Sequence, residues 1–191
     1  MGLSYVFFVF KIKLKMFNII YFDSIHSSND YIWENIDDLP NGSVIVAAQQ
    51  TDGKGRNGKV WSSPLGNLYF SIYKKVKKKQ TDLQYLSVNV GVEIAQTLFD
   101  FGVEDIGIKW PNDLFLNQKK LGGILIETKN SLTHPGYVDV VIGVGLNLVG
   151  KHVLSISQPY TSLAEEGYLL DKQKLLEELI KNIHENQELL A

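Results

Sequence analysis

The sequence predicts an α+β domain, a central mixed β-sheet with helices packed on it. At 191 residues one hydrophobic core is the default. With 45% hydrophobic and 21% charged residues the composition is that of an ordinary globular protein. Strand-like and helix-like spacings alternate along the chain instead of falling in blocks, and no repeat or low-complexity stretch interrupts them, so one sheet is the organising element.

The elements follow in order. Residues 16–23, opening at Met16, read as a first core strand with a turn signal after it. The residues before Met16 allow two readings: an extension upstream of the domain, or, over residues 10–15, a basic edge strand in which lysines alternate with apolar residues and discourage edge pairing. Ser28-Asn29-Asp30 precedes an apolar run, which predicts a helix capped near Ser28. Asn41-Gly42 turns the chain into a strand at 43–48. Residues 68–76 read as a strand and residues 83–101 as a helix that stops before Gly102. Short strands are expected at 106–110 and 113–116, on either side of Pro111. Further strands are expected at 124–128 and 138–144, with a turn at His134-Pro135-Gly136, and an amphipathic helix over 169–190 closes the domain.

Composition excludes several classes. The absence of cysteine removes disulfides, thiolate nucleophiles and cysteine-ligated zinc. A net charge of -2 argues against a protein built to coat nucleic acid, so any anion-binding surface is local. The apolar run at residues 5–10 is too short to span a bilayer and has no basic residues before it, so no signal peptide or membrane anchor is expected. His26, His134, His152 and His184 show no ligand spacing and receive no metal or acid–base role. Residues 74–79 carry five lysines, read either as a solvated strand tip or as a patch that steers an acidic partner.

Four segments carry chemistry. The first is Gln50-Thr51-Asp52-Gly53-Lys54-Gly55-Arg56-Asn57-Gly58-Lys59-Val60-Trp61. Its glycines let backbone amides approach an anion, and its interleaved cations supply charge. It is neither a Walker loop nor a dinucleotide fingerprint, and on composition alone a flexible basic surface loop competes with the functional reading. In the second, Lys109-Trp110-Pro111-Asn112-Asp113, a proline fixes the backbone between two strands. Lys109 is there suited to phosphate and Asp113 to a magnesium ion, against the plainer reading of an Asn-Asp turn. The third places Lys120 at the entry to an apolar strand, aimed at a ligand or solvated at a turn. The fourth, Gly143-Val144-Gly145-Leu146-Asn147, puts glycines inside an apolar strand, where a bulge, close packing or a ligand explains them.

Taken in this order, the four segments resemble the biotin protein ligase family. Its loop reads Gly-Arg-Gly-Arg-x-Gly-Arg-x-Trp, and residues 53–61 depart from it only in Lys54 and Lys59. Ser27-Ser28-Asn29 is similar to the family's Ser-Thr-Asn, residues 109–113 match its Lys-Trp-Pro-Asn-Asp, and Thr161-Ser162-Leu163 matches the approach to its last helix. The resemblance runs from about Phe17 to the end of the chain. It implies a class II aminoacyl-tRNA synthetase/biotin ligase-like fold, with residues 16–191 as the catalytic domain. Neither an N-terminal helix-turn-helix nor a C-terminal β-barrel is expected.

The resemblance also implies a function: activation of biotin with ATP and Mg2+ to biotinyl-5′-AMP, then transfer to a lysine of a biotin carboxyl carrier protein, a subunit of acetyl-CoA carboxylase. Lys120, Arg56 and Lys109 would be catalytic. Ser27, Ser28, Asn29, Gln50, Lys54, Gly55, Arg56, Lys120, Gly143 and Gly145 would bind biotin or its adenylate. Arg56, Trp61, Lys109, Asn112, Lys120 and Asn147 would surround ATP, with Asp113 on the metal. Lys54 is the weakest of these, because lysine lacks the bidentate, stacking geometry of arginine. A cytoplasmic enzyme without DNA or membrane partners is implied, and a homodimer is compatible with it. The competing readings are a lipoate-type acyl-adenylate ligase of the same fold and a binding protein that holds biotin without turnover.

Overall fold

In the computed structural model, residues 9–14, 17–150 and 159–186 are described. Among these residues the chain makes one sheet of eight strands. These are β1 (Val9–Leu14), β2 (Phe17–Phe22), β3 (Val44–Ala47), β4 (Leu68–Val76), β5 (Ile106–Lys109), β6 (Asp113–Leu116), β7 (Lys119–Asn130) and β8 (Val138–Leu146). Three helices accompany them: α1 (Ser28–Glu34), α2 (Leu86–Asp100) and α3 (Lys172–Glu185). The sheet order is β1-β2-β3-β4-β8-β7-β6-β5. Only β2 and β3 pair in parallel and all other neighbours are antiparallel, so the sheet is mixed, as expected.

The central strands β4 and β8 are apolar almost without alternation because both of their faces are covered. On one face lie α2 and α3. The stripe Leu86, Val90, Ile94 and Leu98, spaced four apart, and the stripe Leu175, Leu176, Leu179, Ile180 and Ile183 bury against Phe70, Ile72, Val140, Ile142 and Val144. Asp171 caps α3 by accepting from the amides of Gln173 and Lys174. On the opposite face α1 buries Ile32 against Ile20, Ile45, Tyr73 and Val141. That helix is short, so it covers the sheet only over β3, β4 and β8, and the part of the same face formed by β7 and β6 stays open.

Several boundaries differ from expectation for local reasons. The N-cap of α1 is Ser27, one residue earlier than predicted, and its side chain accepts from the Asp30 amide. Residues 80–83 form a 3-10 turn, in which Asp82 accepts from the Lys79 amide, so α2 begins later than the apolar spacing suggests. β7 starts five residues early, because a two-residue turn at Asn117 and Gln118, both in the left-handed region, folds Lys119 and Lys120 back onto β6. Over Val9–Leu14 the backbone forms β1, which pairs antiparallel to β2 at one edge of the sheet, while Lys15 lies outside the described residues. Met16, His152 and the far end of the closing helix, residues 187–190, lie outside the described residues.

Candidate active site

The open part of the second face is a cleft of about 820 Å³, within the range of small-molecule sites. Its floor is bare because of strand register. Gly123 of β7 stands opposite Gly145 of β8, and Leu125 stands opposite Gly143. Both glycines of β8 point to the cleft, and each is required by what lies on it. A Cβ at Gly143 would collide with the Asn29 carboxamide, and one at Gly145 would fall 2.5 Å from the indole nitrogen of Trp61. The expected glycine anomaly is therefore a close approach by side chains from two different walls.

The polar wall comes from the start of α1. Ser28 and Asn29 are buried, and the Gln50 amide oxygen accepts from the Ser28 amide at 2.8 Å and from its hydroxyl at 3.0 Å. Gln50 donates in turn to Ser63 Oγ at 2.9 Å. The glycine-rich segment folds as a small hairpin over the cleft. Trp61 N donates to Gly53 O and Gly55 N to Lys59 O, with a 3-10 turn at Arg56–Gly58 between them. It is fastened at both sides. Lys54 Nζ lies 2.7 Å from Asp30 Oδ1 on α1, and Arg56 Nη1 donates to Asn112 Oδ1 at 3.3 Å. The Asp30 hydrogen bond is the main reason that the Lys54 ammonium is raised above its ordinary pKa. Lys54 thus borders the cleft as an anchor of the hairpin, with its charge turned to α1.

The opposite wall holds the cationic end. Lys120 enters from the first residues of β7, its ammonium 2.8 Å from Asp113 Oδ1 and 5.3 Å from the centre of the Trp61 ring. Its backbone is paired to the segment that follows, through Lys120 N to Pro159 O and Thr161 N to Lys120 O. Asn147 donates to Thr161 O at 3.0 Å and Asn112 to Ile124 O at 2.8 Å, so both asparagines hold the walls together. Trp61 Nε1 is buried and has no acceptor among the described residues, which leaves one donor for a ligand. The Trp110-Pro111 peptide bond is cis.

All the predicted site residues line this cleft except Lys109. Lys109 lies on the edge strand β5, its ammonium 5.1 Å above the Phe115 ring and outside the lining of the cleft. Its neighbours in the motif, Asn112 and Asp113, line the cleft. No group of three or more histidine or acidic side chains that could cage a metal occurs among the described residues. Asp113, with one oxygen on Lys120, suits a cation that brings most of its ligands with it, as magnesium on phosphates does.

The sequence reading missed several contributors. Asn67 lines the cleft and accepts from the amides of Leu148 and Val149. Glu166 accepts from Thr161 Oγ at 2.6 Å, Asn117 Nδ2 at 2.7 Å and Lys119 Nζ at 2.9 Å. These bonds, Thr161 first, hold its carboxyl well below the usual range, at about 2, and clamp the Thr161 wall to the β6–β7 turn beside Lys120. Of the lysine run at 74–79, Lys74 is half-buried against His184 and Lys75 against Asp139, so only its far part is free at the strand tip.

The sequence profile of the biotin/lipoate A/B protein ligase family matches residues 21–147. The bifunctional ligase/repressor BirA of Salmonella typhimurium is 35% identical over 175 residues, which is 90% of this chain and 54% of that protein. The biotin–[acetyl-CoA-carboxylase] ligase of Paracoccus denitrificans is 29% identical over 73% of this chain and 60% of its own length. The chain spans about half the length of the first two curated relatives it matches, at 54% and 52%. Among solved structures, the biotin protein ligase of Aquifex aeolicus in complex with biotin and ATP superposes with a TM-score of 0.78 at 28% identity, covering 90% of this chain and 70% of that one. The sheet with its helices is thus the biotin ligase-like fold expected from the motifs.

Proposed function

Because the chain belongs to the biotin/lipoate A/B protein ligase family, we propose that residues 16–191 are a biotin protein ligase catalytic domain, which makes biotinyl-5′-AMP from biotin and ATP and transfers the biotinyl group to a lysine of a carrier subunit of acetyl-CoA carboxylase. The observation that carries this reading is the division of one glycine-floored cleft. Its Gly143 end is lined by neutral hydrogen-bonding side chains, and its Gly145 end by a half-buried lysine, a carboxylate and an indole. The first suits an uncharged ring and the second an anion.

In the first step the biotin carboxylate attacks the α-phosphorus, a carboxyl–phosphorus oxygen bond forms, and the bond to pyrophosphate breaks. Two anions must meet, so fixed cations lower the barrier. Lys120 is oriented for this by Asp113, and Arg56 is delivered by the hairpin. Magnesium on the phosphates would neutralise further charge, with Asp113 placed to help hold it. The hairpin at 53–61, fastened to α1 and to Asn112, then keeps water from the mixed anhydride until the carrier amine displaces AMP.

Pyrophosphate release from ATP and magnesium, with biotin and lipoate run in parallel, tests the reading. Release with biotin and transfer to a carrier protein supports it. Release with lipoate alone reassigns the acid, and silence with both, alongside tight biotin binding, makes the chain a binding protein.

A further inference from the structure

Beneath the polar end of the cleft runs a chain of hydrogen bonds that begins outside it. Glu127 of β7 is not among the residues that line the cleft. Its Oε2 accepts from Asn29 Nδ2 at 2.8 Å and from Trp33 Nε1 at 3.2 Å. A carboxylate accepts only, so Asn29 must turn its NH2 to Glu127 and its oxygen to Ser71, a fully buried residue of β4, whose hydroxyl lies 2.6 Å away. Ser71 Oγ is 2.7 Å from Ser28 Oγ, which is 3.0 Å from Gln50 Oε1. The Gln50 end is fixed as well, because the Ser28 amide can only donate and therefore faces an oxygen.

Both ends of the run thus present oxygens inward. Three oxygen–oxygen contacts join Asn29, Ser71, Ser28 and Gln50, and only the hydroxyl protons of Ser71 and Ser28 are there to fill them. The run is one proton short; with Ser71 donating at its shortest contact, to Asn29, the one Ser28 hydroxyl proton is left for the two contacts Ser71–Ser28 and Ser28–Gln50, so the shortage falls on Ser28, which borders the cleft beside Gln50.

We propose that Glu127, acting through Asn29 and Ser71, is a specificity-determining positioning residue: it keeps the Ser28–Gln50 end of the cleft short of protons, so that this end takes a head group with its own N–H donors, a cyclic urea, over one with none, a dithiolane. The inference rests on the biotin reading above and assigns its choice between the two acids to a residue that touches neither. Without an acceptor at position 127 the Asn29 amide is free to reverse. Its NH2 then donates to Ser71, three protons serve three contacts, and the demand for a donor from the ligand disappears.

Calorimetric titration of biotin, lipoate and ATP into the wild type, Glu127→Gln and Glu127→Leu tests this. Glutamine retains an acceptor oxygen for Asn29 and Trp33, so Glu127→Gln should bind biotin nearly as the wild type does. Glu127→Leu should bind biotin about ten-fold or more weakly, with ATP affinity unchanged and the preference over lipoate reduced. Equal biotin affinity in all three proteins, or parallel loss of biotin and ATP affinity in Glu127→Leu, overturns the proposal. Should Glu127→Leu not fold, the wild type decides: an isosteric cyclic-carbonate analogue, with oxygens in place of the urea N–H groups, should bind about ten-fold or more weakly than biotin, and equal binding overturns it. A wild type that neither binds biotin nor releases pyrophosphate with it overturns the ligase reading and this inference together.

Discussion

Lys120 and the two glycines of β8 are the residues on which the chemistry turns. The Lys120 ammonium is held 2.8 Å from Asp113 and 5.3 Å from the centre of the Trp61 ring, within the lining of the cleft. Lys120→Ala should lower biotin-dependent pyrophosphate release about 100-fold or more and retain a cooperative thermal transition; an active variant would remove the lysine from the mechanism. In the proposed reaction the two glycines would mark the two ends of the cleft, one under Asn29 and one under Trp61. Gly143→Ala displaces Asn29 and should raise the KM for biotin about ten-fold with little change for ATP, whereas Gly145→Ala displaces Trp61 and should do the reverse, each at an overpacking cost of about 1–3 kcal/mol. The glycine anomaly was legible from the sequence, since glycines are unexpected in an apolar strand. The identity of the side chains lying on them was not, because Asn29 and Trp61 are distant in the chain.

The hairpin at 53–61 and the clamp around Glu166 act as elements. One end of the hairpin is held by the Lys54–Asp30 ion pair, the other by the Arg56 contact to Asn112. Arg56→Gly should still form adenylate but release it, so that free biotinyl-5′-AMP accumulates in solution; complete retention by the variant would show that the hairpin is closed by other contacts. Glu166 clamps the opposite wall. Its carboxyl is depressed to about 2 from an ordinary 4.5, so the stability it contributes is complete above about pH 4.5 and is lost as pH falls toward 2. Glu166→Ala should lower the thermal midpoint at pH 7, and the gap from the wild type should close near pH 2. The motif residues of the hairpin could be read from the chain, but nothing in the local pattern distinguishes Glu166 from its neighbour Glu165. Only the return of the Thr161 segment to the β6–β7 turn brings its three donors together.

For the whole molecule, one sheet serves two purposes: α2 and α3 bury one face completely, and α1 leaves part of the other open. Stability therefore resides largely in the helix-covered face, and Leu179→Ala, which empties a fully buried position there, should cost about 2–5 kcal/mol. A second global sensitivity lies where α3 meets the end of β4. Burial, and then the Lys74 ammonium 2.7 Å from Nδ1, push His184 down to about 4 from 6.5. The unfolded chain takes up that proton first, so stability should fall as pH drops from about 6.5 toward 4. His184→Leu should flatten the thermal midpoint over that window; an unchanged slope would place the acid sensitivity elsewhere.

By itself the sequence determined the strand and helix periods, the absence of cysteine chemistry, and the four motifs that mark the cleft. Each of these is local, expressed within a few residues by hydrophobic spacing, turn chemistry or glycine among apolar neighbours. The tertiary structure alone decided where each cation lies relative to the cleft. Lys120 is drawn inward beside Asp113, Lys109 is left at the sheet edge over Phe115, and Lys54 is turned to Asp30. It alone brought Glu127, Ser71 and Glu166 into hydrogen bonds with residues that line the cleft. A side chain's direction depends on sheet order and strand register, and its partners lie from 5 to 98 residues away in the chain, beyond the reach of any local pattern.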